Sequence, residues 1–337
     1  MLLIGLAGLE VSGNECAWLR SPAVAGVILF SRNFASRMQL RQLTESIRSV
    51  GGEHLLIAVD QEGGVVQRFR DGFTPLPALS KIGTLYDSDP ENAVALAEEH
   101  AWVMATELRA SGVDLSLAPV ADLARGNAAI RSRAFHADPE VTAELVSAYV
   151  CGMHLGGMAS VLKHFPGHGS ASADTHTAAA FDPRTLETIR TTDLRAFSVS
   201  FDARPEAVMM AYVSYSAIDP QPAGYSQIWI EEILRGKLGF SGLVISDDIS
   251  MAAADAGSTV AQRVIRHCAA GCDLVLVCCP SVVEEAIAAL PSASAAGTDR
   301  LAVLRGNVAA GWEDLLDNPQ RAHFVARLRE LDAGITL

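Results

Sequence analysis

Eight short apolar runs recur along the chain, and segments with helical spacing lie between most of them. The runs are LLIGLA (2–7), GVILF (26–30), LLIAVD (55–60), DLSLAPV (114–120), ASVLKHF (159–165), AVMMAYV (207–213), GLVISDD (242–248) and DLVLVCC (273–279). Strands that are apolar on both faces are covered on both faces, the condition of a parallel sheet under helices. The clearest helical segments are Glu91–Ser111, Glu140–Gly156, Thr185–Phe197, Gln227–Leu238 and Thr259–Ala270. Asp89-Pro90, Asp138-Pro139 and Asp182-Pro183 each set a carboxylate before a proline, which suits an N-cap followed by the first helical residue. Strand then helix, repeated about eight times, predicts an α/β chain with a single (β/α)8 TIM-type barrel. An open doubly wound sheet is the competitor, but no GxGxxG follows the first run, so dinucleotide binding has no support. Residues 1–337 read as one catalytic barrel domain, with PSASAAGT (291–298) joining it to a C-terminal helical tail.

Charge narrows the range of partners. Lys and Arg number 26 against 39 Asp and Glu, a net charge of −13. Such a surface repels nucleic acid and anionic membranes, so neither is expected as a partner. No run reaches the roughly 18–20 apolar residues of a membrane span. The opening MLLIGLAGLEVSG lacks a basic flank and meets Glu10 early, so it reads as a first strand and not as a signal segment. Six scattered cysteines fit buried thiols in a reducing cytoplasm. A cytoplasmic monomer acting on a small molecule is the expectation.

In a barrel the chemistry sits at the C-terminal ends of the strands. Asp60 ends the third run, Lys163 and His164 end the fifth, Tyr212 lies near the end of the sixth, and Asp247 and Asp248 end the seventh. Adjacent residues on an extended strand point to opposite faces, so one of Asp247 and Asp248 faces the mouth while the other caps or braces. The loop VLKHFPGHGSASADTHT (161–177) adds His168, Asp174 and His176. His168, between two glycines, reads as a turn-shaping residue. His100, His154 and His267 read as ordinary surface or core residues.

Three chemistries compete for this loop. A metal site would draw its donors from His164-x3-His168 and Asp174-x-His176, but the x3 spacing works on a helix and Phe165-Pro166-Gly167 forbids one, so no metal is expected. A Schiff-base lysine at Lys163 leaves Asp174 and His176 unexplained. A His–Asp dyad uses every group: Asp174 orients His176, and Asp247 supplies a carboxylate across the mouth. That is a retaining glycosidase in which the dyad replaces the usual carboxylic acid. Gly167, Gly169 and the small residues Ser170–Ala173 predict a loop that moves.

KHFPGHG followed by Asp174-Thr175-His176, with LVISDDISM later, resembles the bacterial β-N-acetylglucosaminidases of glycoside hydrolase family 3, of the cell-wall recycling type. GVILFSRN (26–33), AVDQEGGVVQRF (58–69), APVADL (118–123) and LRGKLGFSGLVISDDISM (234–251) extend the likeness over nearly the whole chain. The resemblance implies Asp247 as nucleophile and His176 as acid/base assisted by Asp174. It implies sugar contacts from Asp60, Arg68, Arg133, Lys163 and His164, with no cofactor. It implies removal of terminal GlcNAc from 1,6-anhydro-MurNAc muropeptides. Two positions depart from the family pattern: R-S-[FY] is Arg133-Ala134-Phe135 here, with Arg131 nearby, and A-H-V is Ala211-Tyr212-Val213. A phosphorylase variant and a sugar-binding barrel without turnover are the alternatives.

Overall fold

The computed structural model describes residues 1–337 except Ser172, Asp174, His176, Thr177, Ala256, 291–297, 308–309 and 335–337. Eight strands form one parallel sheet: β1 (Leu2–Gly5), β2 (Val24–Leu29), β3 (Leu56–Val59), β4 (Leu115–Ser116), β5 (Val161–Phe165), β6 (Ala207–Met210), β7 (Leu243–Asp248) and β8 (Leu274–Val277). Their order is β4-β3-β2-β1-β8-β7-β6-β5, every neighbouring pair parallel. A bridge between Val120 and Lys163 brings the two edges together, with Val161 N–H donating to Ala118 O at 2.8 Å and Ala121 N–H to Lys163 O at 2.7 Å. The expected barrel is therefore present.

Strand alternation divides the apolar residues between two cores. Leu3, Ile28, Leu56, Ala58, Met209, Ile245, Leu274 and Leu276 fill the barrel interior. Ile4, Val27, Leu29, Ile57, Val59, Val208, Val244 and Val275 face the helices. The interior is thus packed solid, and an open space can form only above its upper layer, at the strand ends.

The helices start as local chemistry dictates. In α1 (Arg37–Gly51), Ser36 accepts from Gln39 N–H, and Leu40, Leu43, Thr44 and Ile47 make the buried stripe. α2 (Pro90–Ala110) and α3 (Pro139–Leu155) begin at Asp89 and Asp138, each with proline at the first helical turn, as expected. The third Asp-Pro pair does not cap a helix. Asp182 ends a short strand, Ala180–Asp182, that pairs with Val213–Tyr215, and its carboxylate is held by Arg184. Thr185 caps the next helix instead, and the expected single helix over 185–197 is split at Thr192 into Leu186–Arg190 and Asp193–Ser200.

The segment after β6 winds as a π-helix over Ile228–Lys237. α4 (Val260–Ala270) carries a full capping box from Thr259 and Gln262. The C-terminal tail ends in α5 (Pro319–Ala333), which docks on α2. Phe324 meets Trp102 edge-on at 5.4 Å, and Arg321 bonds Glu107 at 2.6 Å. The connector expected at 291–298 falls almost wholly outside the described residues. All six cysteines are free, but only Cys272 is buried and Cys151 is exposed, so the expectation of buried thiols fails for most of them. No described helix is long and apolar enough to cross a membrane.

Candidate active site

A cavity of about 640 Å³ opens at the C-terminal ends of the strands. Its floor is the top layer of the barrel interior, with Ile28, Leu117, Met209 and Leu276 shared between the two. Asp60, Arg68, Arg133, Lys163, His164 and Asp247 all line it. Six of the eight expected site residues thus come together from five segments of the chain. The other two, Asp174 and His176, lie outside the described residues.

The polar side of the cavity is a buried charge network. Lys163 is fully buried; its Nζ lies 2.8 Å from Asp60 Oδ1 and 2.6 Å from Glu62 Oε1. Arg133 grips the same Glu62 in a fork, with Nε to Oε2 and an Nη to Oε1 both at 2.8 Å. Arg68 approaches Asp60 at 3.6 Å. Burial alone would raise both carboxyls. The cations outweigh it: Arg133 and Lys163 hold Glu62 far below the ordinary carboxylate range, and Lys163 and Arg68 hold Asp60 down. Burial likewise works against the Lys163 ammonium, and Asp60 and Glu62 overcome it and raise its pKa. A lysine locked in its charged form is a hydrogen-bond donor, not a Schiff-base nucleophile, so the second chemistry loses its footing.

Glu62 escaped the sequence reading, and so did Asp122. Asp122 is fully buried. Its Oδ2 takes His164 Nδ1 at 2.7 Å, and its Oδ1 takes the backbone N–H of His168 at 2.6 Å. One carboxylate therefore orients the His164 ring, leaving Nε2 for a ligand, and also pins the start of the 167–177 loop. His168 fits the turn role expected of it. Its Nε2 pairs with Thr175 Oγ1 at 2.8 Å, and burial lowers its pKa against the pull of Asp122, which favours the neutral ring.

Asp247 and Asp248 both border the cavity, contrary to the strict alternation expected. They differ in what they hold. Asp248 Oδ1 accepts from Ser250 N–H at 3.1 Å and Cys278 N–H at 3.0 Å, bracing two strand-end loops. Burial, with Asp247 adding to it, raises its pKa. The carboxylate of Asp247 accepts only from the adjacent Asp248 N–H, at 2.8 Å, among the described residues.

Tyr212 is buried behind this pair and does not line the cavity. Burial depresses the pKa of His267 to about 3, so its ring is neutral. Nδ1 lies 2.8 Å from Gly224 O, an acceptor, and must carry the proton. Nε2 then accepts from the Tyr212 hydroxyl at 2.6 Å. Among the described residues no group of three or more His, Cys, Asp or Glu is arranged to hold a metal ion.

A model of the glycosyl hydrolase family 3 N-terminal domain matches residues 4–305. The chain belongs to glycoside hydrolase family 3. Relatives agree along the full length. A β-hexosaminidase of Stenotrophomonas maltophilia (strain K279a) is 54% identical over 330 residues, covering 98% of each chain. One of Xylella fastidiosa is 52% identical over 330 residues, also covering 98% of each. Among solved structures, NagZ of Neisseria gonorrhoeae in complex with N-trifluoroacetyl-D-glucosamine superposes with a TM-score of 0.91. It is 38% identical and covers 98% of this chain and 97% of that one. A glycoside hydrolase of this family accounts for a barrel-mouth cavity walled by carboxylates and fixed cations.

Proposed function

We propose that the chain is a retaining exo-β-N-acetylglucosaminidase that removes terminal GlcNAc from muropeptides ending in 1,6-anhydro-MurNAc. Cytoplasmic peptidoglycan recycling by a monomer, with no cofactor, is part of the same reading, as is a single catalytic unit spanning the chain. The observation that carries it is the blind cavity. A pocket closed below by the packed barrel interior takes the end of a saccharide and not its middle. Asp60, Lys163, Arg133 and His164 then meet the hydroxyls and N-acetyl group of the terminal sugar. A neighbour solved with an N-acylated glucosamine supports that sugar. Release of 4-nitrophenol from its N-acetyl-β-D-glucosaminide tests the activity, and NMR of the anomer formed first tests retention. No release, or an α-anomer first, overturns the reading.

In this mechanism His176, oriented by Asp174, protonates the leaving oxygen while Asp247 attacks the anomeric carbon; water activated by His176 then frees the sugar. General acid help is worth roughly 10²–10⁴-fold. His176→Ala is therefore expected to slow alkyl and sugar leaving groups by that factor. Acidic phenols, which leave without a proton, should lose far less in glycosylation. Equal losses would remove His176 from the acid role.

Asn127 bears on the same loop. Its side-chain amide donates to Ala171 O and to Ala173 O at 3.2 Å, and its Oδ1 accepts from Ala129 and Ile130 N–H at 2.8 and 3.0 Å. One buried amide thus ties the cavity wall to the loop that carries the dyad. Asn127→Ala is expected to cost about 1–3 kcal/mol of stability through the unpaired backbone groups. It should reduce kcat for poor leaving groups more than for acidic phenols. A uniform loss across leaving groups would mean that Asn127 only supports the fold.

A further inference from the structure

Four of the five cationic or imidazole side chains that line the cavity are matched to a carboxylate: Lys163 and Arg133 to Glu62, Arg68 to Asp60, and His164 to Asp122. The fifth, Arg131, has no acidic partner among the described residues. It is exposed, whereas Lys163 and His164 are buried, so it stands at the open end of the cavity, whose lining also includes the exposed Val65. Its backbone lies at φ 44°, in the left-handed region that a residue with a Cβ adopts only at a cost. A residue held there at a cavity wall is a reason to look for function. The loop is also fixed: Arg131 N–H donates to Asn127 O at 3.1 Å.

We infer that Arg131 is a specificity-determining residue that binds a carboxylate on the leaving group. This rests on the reading of a terminal N-acetylglucosaminide in the closed end, because that placement puts the leaving group at the open end. An anionic leaving group is otherwise poorly served. The chain carries a net charge of −13, and Asp247 and Asp248 border the same cavity. The other cations are already engaged: Lys163, Arg133 and Arg68 share Glu62 and Asp60. A guanidinium with a free fork offers the bidentate grip that a carboxylate takes. In a muramic acid leaving group that carboxylate is either the free lactyl acid or an acid of an attached peptide.

The test compares kcat/KM for three GlcNAc-β-1,4-linked muramic acid substrates: the free lactyl acid, its methyl ester, and the amide to L-alanyl-D-glutamate. The readout is the ratio of acid to ester, and of peptide to ester, in the wild type and in Arg131→Gly. Glycine suits the left-handed backbone, so this variant removes the guanidinium without threatening the fold. The wild type should favour one carboxylate over the ester by about tenfold, the scale of a charge-assisted bond in a half-open site. Arg131→Gly should erase that preference, Arg131→Lys should keep part of it, and salt should weaken it. Which ratio moves identifies the lactyl or the peptide carboxylate as the group bound. A wild type indifferent to charge, or a preference that survives Arg131→Gly, overturns the inference while leaving the glycosidase reading intact. Failure to cleave even 4-nitrophenyl N-acetyl-β-D-glucosaminide takes down both.

Discussion

Asp247→Ala should lower kcat for every GlcNAc glycoside by on the order of 10⁴-fold or more, because no other group can take up the anomeric carbon once the nucleophile is gone. The effect should fall on chemistry and not on folding. Asp247 is only half-buried, and its carboxylate accepts one hydrogen bond among the described residues, from the next residue's N–H. Thermal denaturation of the variant should match the wild type within a few degrees, and GlcNAc should still bind. Asp248→Asn gives the contrasting pattern. Asp248 holds the backbone of Ser250 and Cys278, so its loss should disturb the loops and give a partial, substrate-independent drop. Substantial residual turnover in Asp247→Ala, with Asp248→Asn inactive, would exchange the two roles.

Glu62→Gln should be the most destabilising conservative change in the site. Glu62 is fully buried and receives Arg133 twice and Lys163 once. Removing its charge leaves Arg133 with no acidic partner among the described residues and Lys163 with Asp60 alone, and breaking a buried ion pair costs about 3–5 kcal/mol. A fall in Tm of roughly 5–15 °C at pH 7 follows for a chain of this size. The pH dependence has a definite sign. The folded pKa of Glu62 lies below its ordinary value of 4.5, so the stability it contributes is present above that value and is lost as the pH falls below it. The gap between wild type and Glu62→Gln should therefore narrow in acid. Calorimetry from pH 7 to pH 3 measures it. A gap that is small at pH 7, or that stays constant into acid, would mean that the network is not held by charge. The same variant should lose affinity for GlcNAc, since Lys163 and Arg133 would no longer be fixed.

The fold was legible because its signal is local and repeated. Each apolar run is apolar on both faces, and Asp89 and Asp138 cap where an N-cap must stand. Asp182 misled because the same dipeptide can end a strand when a neighbour takes the carboxylate, and Arg184 does so. β4 proved shorter than DLSLAPV suggests because Pro119 interrupts it, leaving Val120 to bridge Lys163 on its own. At the site, Asp60, Lys163, His164 and Asp247 were readable because polar residues that end apolar strands converge in any barrel. Glu62 and Asp122 were not. Each acts by pairing with groups that only the closed barrel brings near, and an isolated acid in DQEGG or PVADL looks like a surface residue. Their signal was position, each two residues past the end of its apolar run, LLIAVD or DLSLAPV. The two arginines of Ile130–Ala134 could not be separated by sequence. Burial separates them, because Arg133 points into the network and Arg131 stands at the rim.

Asp247 as the covalent nucleophile is tested most directly by trapping. The enzyme is incubated with the 5-fluoro glycosyl fluoride of GlcNAc, then digested and mapped by mass spectrometry. The expected result is time-dependent inactivation with one sugar per chain, attached to Asp247 in the peptide containing LVISDDISM. A sugar on Asp248, or turnover with no adduct and an α-anomer as first product, would contradict it.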